Sequence, residues 1–198
     1  IHLSIPTFSP YYEFARPDTR VSQFKLDPDN NFAVDPDQYV RSVVQSKADT
    51  SVLISPNNPD GYLIPDGDLE YILSKLDGLK TIIVDESFIH FADRPTPNDR
   101  LPTLTDITNK YANVTIVKSM SKDFGIAGIR AGYAIMNPER VTELVDHGYL
   151  WNTSGIAEYF FGLFDRPEFL RGYRQELTTY KTYIDKFTQT TTAFDFVQ

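Results

Sequence analysis

Short apolar runs and longer segments of helical spacing take turns along this chain. Ile1 to Ile5 is an apolar run closed by Pro6, and Thr7-Phe-Ser-Pro-Tyr-Tyr12 follows as an aromatic loop or helix start that Pro6 and Pro10 keep out of a central strand. Val21 to Leu26 alternates apolar and polar side chains, which predicts a half-buried strand, and Asp27 to Asn31 is a turn cluster. A helix is expected from Asp35-Pro36, with Asp as cap and Pro at the first helical position, where its missing N–H costs nothing. Ser51 to Ile54 reads as a buried strand running into Ser55-Pro-Asn-Asn-Pro-Asp-Gly61, a tight loop by composition. A helix over about Asp66 to Leu76 stops at Asp77-Gly78, and a third strand, Thr81 to Val84, ends in Asp85-Glu86. After a Pro-rich loop come a helix over Leu104 to Tyr111, a strand over Val114 to Val117, a strand over Ile129 to Met136 and a helix from Pro138. From Gly155 to about Phe187 the spacing is helical, broken near Asp165-Arg-Pro167. No internal repeat is found.

Strands alternating with helices predict an α/β domain, a three-layer αβα sandwich whose mostly parallel sheet is covered on both faces, with a helical C-terminal segment. In such sheets ligands bind outside the carboxyl ends of the strands. Three apolar runs end in Asn57-Asn58, in Asp85 and in Ser119 to Lys122, so an amide, a carboxylate, hydroxyls and a lysine are expected to share one crevice.

Composition narrows the function classes. A chain of 198 residues can bury one sizeable core. No apolar stretch is long enough to span a bilayer, and no basic start with an apolar segment marks a secretory signal, so a cytoplasmic location is the expectation. With no cysteine there is no disulfide framework, thiolate zinc site or cysteine nucleophile. A net charge of −8 without a basic cluster argues against nucleic acid. His2, His90 and His147 lack the spacing of a metal motif and read as structural or surface residues; no metal is expected. The chain opens inside a strand-like run and closes on a similar pattern at Phe194 to Gln198, which suggests part of a longer polypeptide.

Lys122 stands between a strand end and the glycines Gly125, Gly128 and Gly132. Taken alone it is a solvated loop lysine or a partly desolvated amine of lowered pKa, able to form a Schiff base. A lysine facing a carboxylate could likewise be a plain ion pair or could hold a cofactor between them. Pyridoxal phosphate needs a lysine for the imine, a carboxylate for the pyridine nitrogen, a donor to the ring hydroxyl, and hydroxyl or arginine groups for the phosphate.

Ser-Pro-Asn-Asn-Pro-Asp-Gly61, Asp-Glu-Ser-Phe88 and Ser-Met-Ser-Lys-Asp-Phe-Gly-Ile-Ala-Gly-Ile-Arg130, in this order, resemble fold-type-I pyridoxal-phosphate enzymes. The likeness is to class I/II aminotransferases, nearest the histidinol-phosphate aminotransferase and threonine-phosphate decarboxylase branch. It implies that Lys122 is the covalent anchor and later the proton shuttle, and that Asp85 pairs with the pyridinium nitrogen. It further implies that Asn58 bonds the ring hydroxyl, that Ser119, Ser121 and Arg130 hold the phosphate, and that Phe8 stacks on the ring. Residues 1–150 would be part of the cofactor-binding large domain, and 151–198 a helical connection and the start of a small C-terminal domain. The implied reaction is transfer of an amino group between an amino acid, or an amino-acid-like phosphate, and a 2-oxo acid, in a homodimer. Decarboxylation of the threonine-phosphate type is the alternative; Trp151-Asn152 loosely matches that branch, although Trp151 reads first as a core anchor.

The chain departs from the pattern at Phe88, where these enzymes usually carry a tyrosine that donates to the ring oxygen. A phosphate loop upstream and a substrate arginine downstream are also implied to lie outside it. Two other readings compete. Ile82-Ile-Val-Asp-Glu86 resembles the magnesium-holding strand end of a nucleotide hydrolase, although no G-x-x-x-x-G-K-[ST] loop accompanies it. An aminotransferase-like domain without catalysis is the other.

Overall fold

A computed structural model describes residues 1–13, 15–94, 96, 100–148, 152–192 and 194. Six strands form one sheet: β1 (His2–Ile5), β2 (Ser22–Lys25), β3 (Thr50–Ile54), β4 (Thr81–Asp85), β5 (Val114–Ser119) and β6 (Gly132–Ile135). Their order is β2-β1-β3-β4-β5-β6; the first five run parallel and β6 closes the edge antiparallel to β5. The helices are α1 (Pro10–Glu13), α2 (Pro36–Ser46), α3 (Asp66–Lys75), α4 (Thr105–Thr108), α5 (Pro138–Asp146), α6 (Gly155–Phe161) and α7 (Pro167–Thr191). This is the α/β plan that the alternating pattern predicts.

Local chemistry explains most of the boundaries. Asp35 caps α2 by accepting from the Gln38 N–H at 2.8 Å, with Pro36 opening the helix. The break expected near Asp165-Arg-Pro167 falls between a single 3-10 turn, Gly162–Asp165, and the 25 residues of α7. Two predicted elements are shorter than expected. The helix predicted over Leu104 to Tyr111 spans only Thr105–Thr108, where Thr108 Oγ1 bonds back to the Leu104 carbonyl at 3.1 Å. The strand predicted from Ile129 begins at Gly132, because Ala127–Ile129 forms a 3-10 turn and Arg130 takes a left-handed conformation (φ 58°). Trp151 and the chain end after Phe194 lie outside the described residues.

The sheet's two faces are unequally covered. Leu53, Ile82, Val84 and Val114 join Tyr39 and Val43 of α2, Leu69, Ile72 and Leu73 of α3 and Ile107 of α4 in the main core. Alternation along the strands sends Leu3, Val52 and Ile54 to the other face, where Tyr11 and Tyr12 of α1 and the half-buried Ile83 pack against them. Among the described residues this second cluster is the smaller of the two, and no side chain of α5 is buried. A third cluster lies beyond β5, where Met120, Ala131, Ala157 and Phe160 pack with Phe124, Phe164 and Phe169. Gly132 fits against β5 only because it lacks a side chain, since a Cβ there would stand 2.8 Å from the Lys118 carbonyl oxygen.

Candidate active site

Strand register decides which candidate residues meet. Ile54 pairs with Asp85, and Asp85 pairs with Val117, so β3, β4 and β5 end side by side. The loop with Asn58, the Asp85 carboxylate and the Ser119–Lys122 turn therefore leave three adjacent strands at one sheet edge, as the sequence predicts.

Asp85 is buried at the end of β4. One carboxylate oxygen accepts from the Tyr11 hydroxyl at 2.7 Å and the other from the Ser87 N–H at 2.9 Å. Burial first, and then the Asp85 charge, push the Tyr11 pKa up, so this hydroxyl stays protonated and donates. Tyr11 is a site residue that the sequence reading missed; its place in an aromatic run gave no signal of reach toward a residue 74 positions away. Asn57 is buried, with its amide bonded to the Pro6 carbonyl at 3.1 Å and to Asp60, which ties this loop to the segment bearing Phe8. Asn58 is half-buried and makes no side-chain hydrogen bond to another described residue. Phe8 is exposed, with an edge contact to the Tyr11 ring at 6.4 Å.

Ser119, Ser121 and Arg130 line one cleft of about 630 Å³. Ser119 Oγ accepts from the Ser121 N–H at 3.2 Å, and Arg130 donates to the Ala127 carbonyl at 3.0 Å, which leaves most of the guanidinium N–H groups free. Two hydroxyls and an arginine on one cleft wall form an anion-binding donor set.

Of the two environments open to it in the sequence, Lys122 takes the solvated one. It is exposed, in a turn closed by the Gly125 N–H on its carbonyl at 3.1 Å, rather than partly desolvated at the strand end. It lines a neighbouring apolar groove with Phe91, Phe124, Tyr173 and Tyr180, not the cleft of Ser119 and Arg130. The buried lysine is Lys118, whose Nζ lies 2.5 Å from Asp123 Oδ2 and 3.4 Å from both the Glu86 and Ser87 carbonyls. His90 Nδ1 lies 2.9 Å from the same Asp123 oxygen. Burial works against the Asp123 charge, but the His90 hydrogen bond and the Lys118 charge outweigh it and hold this pKa down. A signal for Lys118 was present, since it shares the inward face of β5 with Val114 and Ile116.

Glu86, which with Asp85 suggested a magnesium-holding strand end, is turned inward. Its carboxylate accepts from the Leu104 N–H at 2.7 Å and from Thr103 Oγ1 at 3.0 Å, and burial raises its pKa. It anchors the loop before α4. Phe88, in place of a donor, sits 6.4 Å from the Phe91 ring.

Residues 1–189 match the family described as aminotransferase class I and II. The chain belongs to that family. Within it, the chain is 44% identical to the L-serine phosphate decarboxylase of Campylobacter jejuni, over 91% of this chain and 48% of that protein. It is 37% identical to a histidinol-phosphate aminotransferase of Methanosarcina mazei, over 70% of this chain and 34% of that one. The solved structure of a decarboxylase from Sulfurospirillum multivorans superposes with a TM-score of 0.90 at 40% identity, over 98% of this chain and 55% of its own. The chain thus spans about half the length of the decarboxylases it matches. It is a fold-type-I chain of the branch that joins these decarboxylases to the histidinol-phosphate aminotransferases, and its cofactor is pyridoxal phosphate. The residues present fit that group in kind: a buried carboxylate, a loop amide, two hydroxyls with an arginine, and a lysine without a side-chain partner among the described residues follow three adjacent strand ends, with Lys122 facing the groove next to the cleft of Ser119 and Arg130.

Proposed function

We propose that the whole protein is a pyridoxal-phosphate-dependent decarboxylase of a phosphorylated amino acid, with L-serine phosphate the first substrate to test. One observation carries this reading. Identity to the L-serine phosphate decarboxylase is higher, and extends over more of the chain, than identity to the histidinol-phosphate aminotransferase. Transamination is the second reading, supported by the family as a whole.

In this reading Asp85 keeps the ring nitrogen protonated, Asn58 donates to the ring hydroxyl, and Ser119, Ser121 and Arg130 grip the phosphate. Phe8 covers one ring face. When bound, the cofactor supplies an electron-withdrawing ring that stabilises negative charge on the substrate α-carbon. Lys122 would supply the amine that holds the cofactor and the group that carries a proton to the substrate α-carbon. Phe88 can only pack, so the ring oxygen depends on Asn58.

A cytoplasmic homodimer, and a small domain that starts in residues 151–198, belong to the same proposal. Exposed apolar side chains on α5 (Val141, Leu144, Val145) and α7 (Tyr183, Phe187) support a further covering subunit or domain.

The test incubates full-length protein and pyridoxal phosphate with L-serine phosphate, L-threonine phosphate, or histidinol phosphate plus a 2-oxo acid. Carbon dioxide from one of the first two, and no amino transfer, is the expected result. Amino transfer without carbon dioxide would reinstate the aminotransferase reading. A protein that develops no visible absorbance with the cofactor would be a non-catalytic relative.

A further inference from the structure

The two residues that follow Lys122 are both clamped from behind. Asp123, whose side chain is fully buried, holds Lys118 Nζ at 2.5 Å and His90 Nδ1 at 2.9 Å on one oxygen. Its other oxygen has no hydrogen-bond partner among the described residues. Phe124 stacks on Tyr173 of α7 at 4.0 Å between centroids, 18° from parallel. The Tyr173 hydroxyl lies 2.7 Å from the same His90 nitrogen, so with the proton on Nδ1 it is a second acceptor that shares this hydrogen with Asp123. Charge, imidazole and ring stacking thus join the Lys122 turn to β5, to the segment after β4 and to α7.

A buried ion pair is an expensive way to stabilise a fold, because taking both charges out of water offsets most of their attraction. An apolar pair of similar volume would suit a purely structural position. What the pair adds is direction, since a carboxylate bonded to two fixed donors cannot rotate without breaking one of them. The neighbour whose backbone it fixes is Lys122. Lys122 itself makes no side-chain hydrogen bond or ion pair with a described residue, so its aim depends on that backbone.

We propose that Asp123 is a positioning residue for Lys122, held by Lys118 and His90, and that Tyr173 extends this hold to α7. The proposal rests on reading Lys122 as the covalent anchor. Asp123 touches neither cofactor nor substrate in this scheme. It sets the angle from which the lysine amine approaches, and a displacement of about 1 Å at a reacting atom is enough to cost a large factor in rate.

The test compares full-length wild type with Asp123→Asn and with Tyr173→Phe, which removes the hydroxyl but keeps the stacked ring. The rate of covalent attachment of pyridoxal phosphate is read by borohydride fixation and mass analysis of the Lys122 peptide. The non-covalent binding constant is read separately by placing each substitution in a Lys122→Ala background, and melting temperatures are recorded without cofactor. Attachment should slow about tenfold or more in Asp123→Asn and about threefold in Tyr173→Phe, with the non-covalent constant unchanged. Attachment at the wild-type rate in both variants overturns the proposal. So does a parallel fall of attachment, binding and melting temperature, which would make the cluster a structural element only. Should Asp123→Asn fail to fold, Tyr173→Phe decides alone by the same criteria. Wild type that fixes no cofactor on Lys122 overturns this proposal together with the reading beneath it, whereas normal wild-type attachment with insensitive variants overturns this proposal only.

Discussion

Lys118 and Lys122 lie four residues apart on either side of one strand end, in opposite environments. Lys118 is 1% exposed, ion-paired and bonded to two carbonyls, while Lys122 is exposed and has no side-chain partner among the described residues. The contrast extends to whole layers. Behind the sheet end Glu86, His90, Lys118 and Asp123 are largely satisfied by one another and by backbone; in front, Asn58, Ser121, Lys122 and Arg130 keep most of their donors unused. Polar groups that hold the fold use up their hydrogen-bonding capacity within it, and groups that await a ligand keep theirs. Burial by itself would point to Lys118, whereas the proposed function rests on Lys122.

The sharpest way to break this comparison is to exchange the fates of the two lysines. In Lys122→Ala, product formation by full-length enzyme should fall by about a thousandfold or more, and borohydride should fix no cofactor on that peptide. Its stability to denaturant should stay within about 0.5 kcal/mol of wild type, as for other exposed positions. Lys118→Met should do the reverse to stability. By leaving Asp123 buried without its cation it should cost about 3–5 kcal/mol in urea unfolding. A Lys118→Met protein as stable as wild type would mean that the rear layer is not held by charge.

The smallest effect concerns pH. Burial, ahead of the opposing Asp123 hydrogen bond, holds the His90 pKa below its ordinary value of 6.5. Below that pH the unfolded chain takes up a proton that the folded chain resists. Stability from neutral His90 is therefore present above about pH 6.5 and lost as pH falls through the depressed pKa, with a slope of at most about 1.4 kcal/mol per pH unit. Denaturant midpoints measured across pH 5–7 should show the decline, and His90→Gln should flatten it.

Much of the fold was legible because it is written in short-range signals. The Asp35-Pro36 helix start, the turn cluster at Ser55–Gly61 and the break before Pro167 each carry their own local physics. The adjacency of the strand ends that lead to Asn58, Asp85 and Ser119 was legible too, since it follows from architecture alone. What stayed hidden depends on reach across the chain. The Tyr11–Asp85 bond and the His90–Tyr173 contact, 83 residues apart, have no periodicity to betray them. The unequal covering of the sheet was hidden for a different reason. A strand pattern states that both faces are apolar, but not how much of this chain is available to cover them.

The glycine at position 132 gives the site a tolerance that can be stated in a single methyl group. Gly132 pairs with Ser119 across the β5–β6 ladder and leaves no room for a Cβ beside the Lys118 carbonyl. Arg130 enters the cleft two residues before this contact and Ser119 lies opposite it, so one close backbone approach gauges the gap between the two sides of that cleft. An alanine at 132 would act as a spacer, widening the gap while leaving every functional side chain in the sequence unchanged.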